Sequence, residues 1–322
     1  MKILFCPNLI VSALGAADRA AILDAAGPSS RIVEVTDAAG QKRELPDTDV
    51  IFGRVHPDHF SLATRLGYYH AIGAGVDSIL TPELVNSDVP LASEKGDVGV
   101  HLSEHAFALL LGLTRGVHTA LRTPDYGLRE PIRVHQRELF EQTMGVVGFG
   151  GTGRAVARRA VAFGMRVLGV DIERVEPEPG VEAIWGADRL ADLLRASDVV
   201  VIALPLTKAT HHLFTRERFA QMQRHAILIN VTRGEIVRGE DLLAALDEEV
   251  IWGRRARRDR SRAAARGPSA VAAPAGHRHA AHGGRIAPPR GPGDRDLLRE
   301  PAAAPQWPAA PRADRQAEGL LG

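Results

Sequence analysis

The amino-acid sequence predicts an α/β protein built from two doubly wound parallel sheets. Three observations carry that prediction. The chain has 322 residues, room for about two domains at roughly 100–200 residues each. Its hydrophobic fraction is 45%, enough to fill cores. Short apolar runs alternate with helical stretches twice along the chain, the pattern of a parallel sheet covered by helices on both faces.

In the first unit, residues 1–98, the runs Lys2–Cys6, Arg31–Val35, Val50–Phe52 and Tyr69–Ile72 read as strands. Each is short, rich in Val, Ile, Phe or Tyr, and flanked by Gly, Pro or Asp. Ala16–Ala26 and His59–Leu66 read as helices. The second unit, residues 99–252, opens with a long apolar helix, Ser103–Thr114. Ser103 is its expected N-cap and Glu104 a favourable first-turn acid. A helix this apolar belongs in a buried place, between the domains. Strands follow at Met144–Val147, Arg166–Val170, Val199–Ala203 and Ala226–Asn230. Helices are expected at Gly153–Phe163, Leu190–Arg195, Arg216–Met222 and Gly239–Leu246. The alternation stops after Ile251.

One cysteine, Cys6, excludes a disulfide framework and a cysteine-based zinc site, and no metal is expected. No stretch reaches the roughly 18 apolar residues of a membrane span. Pro7 and Asn8 interrupt the apolar N-terminal run, unlike a signal peptide. The expectation is a cytoplasmic protein with no membrane partner. The net charge of +1 hides an asymmetry. Residues 1–252 carry 26 basic and 33 acidic side chains, net −7; residues 253–322 carry 14 Arg, no Lys and 6 acids, net +8. A basic arm of that charge suits nucleic acid. Natural arms usually include Lys, so no nucleic-acid partner is expected.

Residues 148–153 read G-F-G-G-T-G, a fit to G-x-G-x-x-G between an expected strand and an expected helix. Gly148 permits the tight turn, Gly150 lets backbone approach a pyrophosphate, and Gly153 lets helix and strand pack closely. The helix N-terminus offers N–H groups and partial positive charge to phosphate. Asp171 ends the next strand, 18 residues past Gly153. It would accept from ribose hydroxyls and repel a 2′-phosphate, favouring NAD over NADP; nearby Arg174 keeps NADP as the lesser option. A glycine-rich turn without a ligand is the bland alternative, and the context weighs against it. Arg233 falls just past a strand's C-terminal end, where open α/β sheets bind ligands, and its planar fork suits a carboxylate. Residues 73–77, G-A-G-V-D, expose consecutive backbone N–H groups that suit an anion, though alone they are an ordinary turn signal.

Five pieces together resemble the D-isomer-specific 2-hydroxyacid dehydrogenases: G-A-G-V-D at 73–77, S-E-H-A-F-A-L-L-L at 103–111, G-F-G-G-T-G at 148–153 with Asp171, L-P-L-T at 204–207, and N-V-T-R-G at 230–234. They occur in family order and spacing and span residues 1–252. The resemblance implies two Rossmann-like domains, a flavodoxin-like substrate domain and an NAD domain, with the active site in the cleft. It implies NAD-dependent interconversion of a small 2-keto acid and a D-2-hydroxy acid, of the glyoxylate, hydroxypyruvate or phosphoglycerate kind. By position, Gly73, Ala74 and Gly75 would hold the substrate carboxylate, and Arg233 would grip carboxylate and carbonyl oxygen. The loop with Arg54, Val55 and His56 falls where the family tunes substrate choice. Gly151 and Thr152 would meet the pyrophosphate, while Pro205, Thr207, Val231 and Thr232 would line the cofactor. Thr152 stands where an aliphatic residue is commoner. A homodimer is implied too. A noncatalytic NAD-binding regulator of the same fold is the alternative.

The resemblance breaks after Ile251. The family needs a further strand ending in Asp, a Glu that orients the acid, and a His that donates the proton; none appears in register. In residues 253–322, Ala, Arg, Pro and Gly make up 50 of 70 residues, and Val, Ile, Leu and Trp only 7. Such a segment has too little apolar surface to order itself and is expected to be disordered. Its four dominant residue types have codons built from G and C alone, as in a GC-rich gene read out of frame. Read one nucleotide later, codons permitted for Arg254–Arg258 spell Ala-Ala-Leu-Asp-Val, and those for His279–Ile286 spell Thr-Pro-His-Thr-Ala-Gly-Ala. The lost Glu codon would straddle Arg262 and Ala263, and the lost His codon Ala281 and His282. We expect a single-nucleotide frameshift near Gly253 and an impaired enzyme.

Overall fold

The computed structural model describes residues 1–8, 11–96, 98–122, 129–134 and 136–252. The segment 253–322, with the expected disorder, frameshift and missing catalytic groups, lies outside the described residues.

The first half runs β1 (Lys2–Cys6), α1 (Ala16–Ala26), β2 (Arg31–Glu34), α2 (Ala38–Glu44), β3 (Val50–Gly53), β4 (Tyr68–Ala71), α3 (Pro82–Val85) and β5 (Leu91–Ser93). The strands form one parallel sheet in the order β2-β1-β3-β4-β5. β1 occupies the middle, and all five of its residues are buried. Leu4, Cys6, Ile51, Tyr69 and Ala71 form this sheet's core with Val35, Leu45 and Leu84. The chain order reverses between β1 and β3, and open α/β sheets bind ligands at the loops after such strands.

The second half runs α4 (Gly99–Thr114), α5 (Val117–Arg122), α6 (Arg129–Val134), β6 (Thr143–Val147), α7 (Gly151–Ala162), β7 (Arg166–Asp171), β8 (Ala183–Gly186), α8 (Leu190–Ala196), β9 (Val199–Ile202), α9 (Arg216–Gln221), β10 (Ile227–Asn230) and α10 (Gly239–Asp247). Its sheet is also parallel, in the order β10-β9-β6-β7-β8. Successive strand residues alternate between two cores. Met144, Val146, Val199, Val201, Ile227 and Ile229 face α4 and α7. Val147, Val200, Ile202 and Leu228 face α8, α9 and α10. A sheet covered on both sides needs apolar residues at every position, which is why these strands are unbroken apolar runs. This is the expected α/β architecture. Among the described residues, no helix is long and apolar enough to cross a membrane.

Several expectations need correction. His59–Leu66 is no α-helix: a 3₁₀ stretch covers Pro57–Leu62, and Leu66 already belongs to the turn into β4. α2, β5 and β8 were not anticipated; each is a short element without a strong periodic pattern. Ser103 is not an N-cap. α4 begins at Gly99, and the Ser103 hydroxyl donates back to the Gly99 carbonyl at 2.6 Å. The earlier start lets α4 and α7 touch: a Cβ on Gly99 would come within 2.8 Å of the Gly151 carbonyl oxygen. The buried face of α4 (Ala106, Phe107, Leu110) serves the second sheet's own core, and Phe107 stacks on Phe163 at 5.0 Å.

Candidate functional site

β6 ends at Val147, and the chain turns through Gly148, Phe149 and Gly150 into α7. Gly148 has φ +92°, and a side chain there would crowd the Ala203 carbonyl oxygen at 2.8 Å. A Cβ on Gly153 would overlap the Gly148 carbonyl oxygen, so helix and turn pack this closely only without one. Gly150 differs. Its φ is −72°, and a Cβ there would meet nothing within 4 Å. The fold leaves open space above Gly150, where the 12-residue α7 presents first-turn N–H groups with no side-chain cap. Gly151 and Thr152 begin that turn. The opening is a cradle that fits a pyrophosphate.

Asp171 sits beside the cradle at the end of β7. Its Oδ2 accepts the Phe149 N–H at 2.5 Å and its Oδ1 the Glu173 N–H at 3.0 Å. Two oxygens carry about four lone-pair sites, so acceptor capacity remains for ribose hydroxyls. Arg174 is exposed three residues on. Glu178, buried, pairs with Arg158 Nε at 2.5 Å and Arg154 Nη1 at 2.7 Å, tying α7 to the segment after β7. Those two guanidinium groups, Arg158 foremost, hold its carboxyl below the usual carboxylate range.

The loop after β9 carries exposed Pro205 and half-buried Thr207. The Thr210 hydroxyl knits it together, donating to the Pro205 carbonyl at 2.7 Å and accepting the Thr207 N–H at 2.8 Å. After β10, Asn230 does similar work. It is 1% exposed; its Nδ2 donates to the Arg233 carbonyl at 2.8 Å, and its Oδ1 accepts the Thr232 N–H at 3.0 Å and hydroxyl at 3.2 Å. Val231, expected along the cofactor, puts its side chain into the core at 2% exposure. The turn therefore presents Thr232 and Arg233 outward.

Arg233 reaches the first half of the chain. A Cβ on Gly75 would overlap Arg233 Nη2, so the guanidinium lies against the Gly73–Gly75 turn, where Gly73 has φ +116°. Asp77 Oδ1 accepts from Arg233 Nη2 at 2.8 Å and Nε at 3.2 Å. The side chains of Arg233 and Asp77 are 37% and 29% exposed, so the pair adds at most about 1 kcal/mol to stability. Nearby, Val55 is buried and its N–H donates to the Tyr69 hydroxyl at 3.2 Å. Gln41 holds both neighbours: its Nε2 donates to the Arg54 carbonyl at 3.4 Å, and its Oε1 accepts the His56 N–H at 3.0 Å. A hollow of about 400 Å³ opens beside this loop, lined in part by Asp37, Gln41, Arg54, His56 and Ser78.

Residues 107–255 match a model of the D-isomer specific 2-hydroxyacid dehydrogenases, NAD binding domain. A hydroxypyruvate reductase of Thermotoga maritima is 30% identical over 230 residues, which are 69% of this chain and 72% of that protein. The chain belongs to the D-isomer specific 2-hydroxyacid dehydrogenase family. A glyoxylate reductase of Thermococcus kodakarensis is 35% identical over 209 residues; the match spans 62% of each chain, less than two thirds of that relative's length. Among solved structures, a D-isomer specific 2-hydroxyacid dehydrogenase family protein from Aeromonas salmonicida superposes with TM-score 0.60 at 28% identity, covering 78% of this chain and 79% of that one. D-mandelate dehydrogenase of Rhodotorula graminis shares the fold, with TM-score 0.66 at 24% identity and coverage of 78% and 79%.

Sequence reasoning missed Asp77, Asn230 and Gln41; Tyr69, read with Arg54 and His56 as a hint of a small polar acid, proves to anchor their loop. The first two were visible inside G-A-G-V-D and N-V-T-R-G, but nothing local says which side chain caps a turn or meets an arginine. Gln41 and Tyr69 carried no local signal as loop anchors, because their bonds to the 54–56 loop come from α2 and from β4.

Proposed function

We propose that this chain carries the binding apparatus of an oxidoreductase that interconverts a small 2-keto acid and a D-2-hydroxy acid with NAD. One observation carries the reading. Arg233, from the second half, lies against the Gly73–Gly75 turn of the first, in a chain whose second half holds the open glycine cradle and Asp171. Residues 1–98 then serve the substrate and residues 99–252 the cofactor. Gly150, Gly151 and Thr152 would receive the pyrophosphate, on the turn that Gly148 and Gly153 make possible, and Asp171 the ribose. NADH, when bound, supplies the hydride. The chain's residues do the rest. The 73–75 backbone and Arg233 hold the carboxylate, and the guanidinium stabilises negative charge developing on the carbonyl oxygen. Asp171 disfavours a 2′-phosphate, which supports NAD over NADP.

Arg54 has no ion-pair partner among the described residues and borders the hollow beside the 54–56 loop. That supports a small polar acid: glyoxylate, hydroxypyruvate or a phosphoglycerate-derived keto acid. Exposed Val117, Leu121 and Val134 on α5 and α6 support a homodimer.

The proton donor and its Glu would follow Trp252. Ile251 is buried in one core of the second sheet, Trp252 packs on the other, and the Trp252 N–H donates to the Ala226 carbonyl at 3.1 Å. One backbone bond thus sets Trp252 beside the start of β10 where the composition changes, which supports a reading-frame shift near Gly253. Loss of a general acid costs roughly 10²–10⁴ in rate. The test is NADH oxidation with glyoxylate, hydroxypyruvate and pyruvate, by this chain and by a chain restored to the neighbouring frame. At least about 100-fold faster turnover by the restored chain is expected. Equal turnover overturns the frameshift. NADH binding without turnover in the restored chain favours the noncatalytic regulator.

A further inference from the structure

We propose that Asp77 is a positioning residue, which fixes the guanidinium of Arg233 so that its two remaining N–H groups face the ligand carboxylate. The inference rests on the functional reading above and adds a residue to it. A guanidinium has five N–H donors in a rigid plane. Asp77 Oδ1 takes one at Nε and one at Nη2, which together form the side edge of the fork. The Thr232 carbonyl takes one at Nη1, at 3.3 Å. Two donors remain, one on each terminal nitrogen, enough for the two oxygens of a carboxylate.

The anchors come from two places. Thr232 and Arg233 sit in the turn held by buried Asn230, whereas Asp77 is 156 positions away, just past the Gly73–Gly75 turn. Gly75 has no side chain to separate its backbone from Nη2, so Nη2 and the anion-binding turn border the same space. A long arginine side chain without Asp77 would keep only the Thr232 contact and would sample many rotamers. Asp77 therefore trades part of the net charge at the site for a fixed direction.

Oxalate, a two-carboxylate probe that needs no turnover, tests this by titration calorimetry on the full chain with saturating NADH. Asp77→Ala is expected to weaken oxalate binding about tenfold through lost alignment, with NADH affinity unchanged. Asp77→Asn keeps an oxygen acceptor for Nε and Nη2 and is expected to recover binding to within about threefold of the native chain. Unchanged or tighter oxalate binding by Asp77→Ala overturns the inference, because Asp77 would then be idle or would compete with the ligand. Failure of Asp77→Asn to rescue also overturns it. If the native chain binds NADH but not oxalate, the carboxylate reading of the Arg233 site fails, and this inference fails with it. No NADH binding would instead overturn the cofactor reading.

Discussion

Two glycines of the cofactor turn separate folding from binding at single positions. Gly153→Ala places a methyl on the Gly148 carbonyl oxygen, so it is expected to destabilise the fold by about 1–3 kcal/mol. Gly150→Ala places a methyl in open space at an ordinary φ, so the melting temperature should hold while NADH affinity falls at least about tenfold. Thermal melts and NADH titrations of both variants check the contrast; a Gly150→Ala chain that binds NADH normally would remove the cradle from above that residue. Asp77 and Arg233 follow the same logic. Their half-exposed pair adds little stability, so its value lies in where it points the guanidinium.

Strands and helices carry different signatures of burial. β1 lies inside the first sheet, and desolvation there pushes the Cys6 thiol up to about 12. An unfolded thiol ionises near roughly 8.5. Between those values the unfolded chain has released a proton that the folded chain keeps, so the thiol's contribution to stability is full below pH 8 and falls as pH rises through the window. Urea midpoints at pH 8 and pH 10 are expected to separate more for the native chain than for Cys6→Ala. Parallel losses would show that β1 opens to solvent or that other groups dominate. Among helices, α4 and α7 meet through Gly99 and Gly151, positions that periodicity does not reveal. α4 starts four residues ahead of Ser103, the residue whose type favours a cap.

Across the molecule, Arg233 and Asp77 link the two parallel-sheet halves, and the exposed apolar positions of α5 and α6 set the expected assembly. Sedimentation velocity should give a dimer, and Leu121→Asp with Val134→Asp should give a monomer with intact NADH binding. A native chain that sediments as a monomer at all concentrations would remove that assembly. The frame-restored chain should also melt higher, because a strand after Trp252 would pair with β10, the outer strand of the second sheet.

Much of this protein is written locally. Strands such as Val199–Ile202 and Ile227–Asn230 are legible because a sheet buried on both faces demands apolar residues at every position. The glycine turn is legible because Gly148 and Gly153 answer backbone demands within a few residues of one another. The meeting of Arg233 with Asp77 and Gly75, the inward turn of Val231 and the loop anchors Gln41 and Tyr69 are not legible in that way. They depend on how distant segments approach once the sheets have packed, and side-chain direction over such distances is settled by packing rather than by neighbours in the chain.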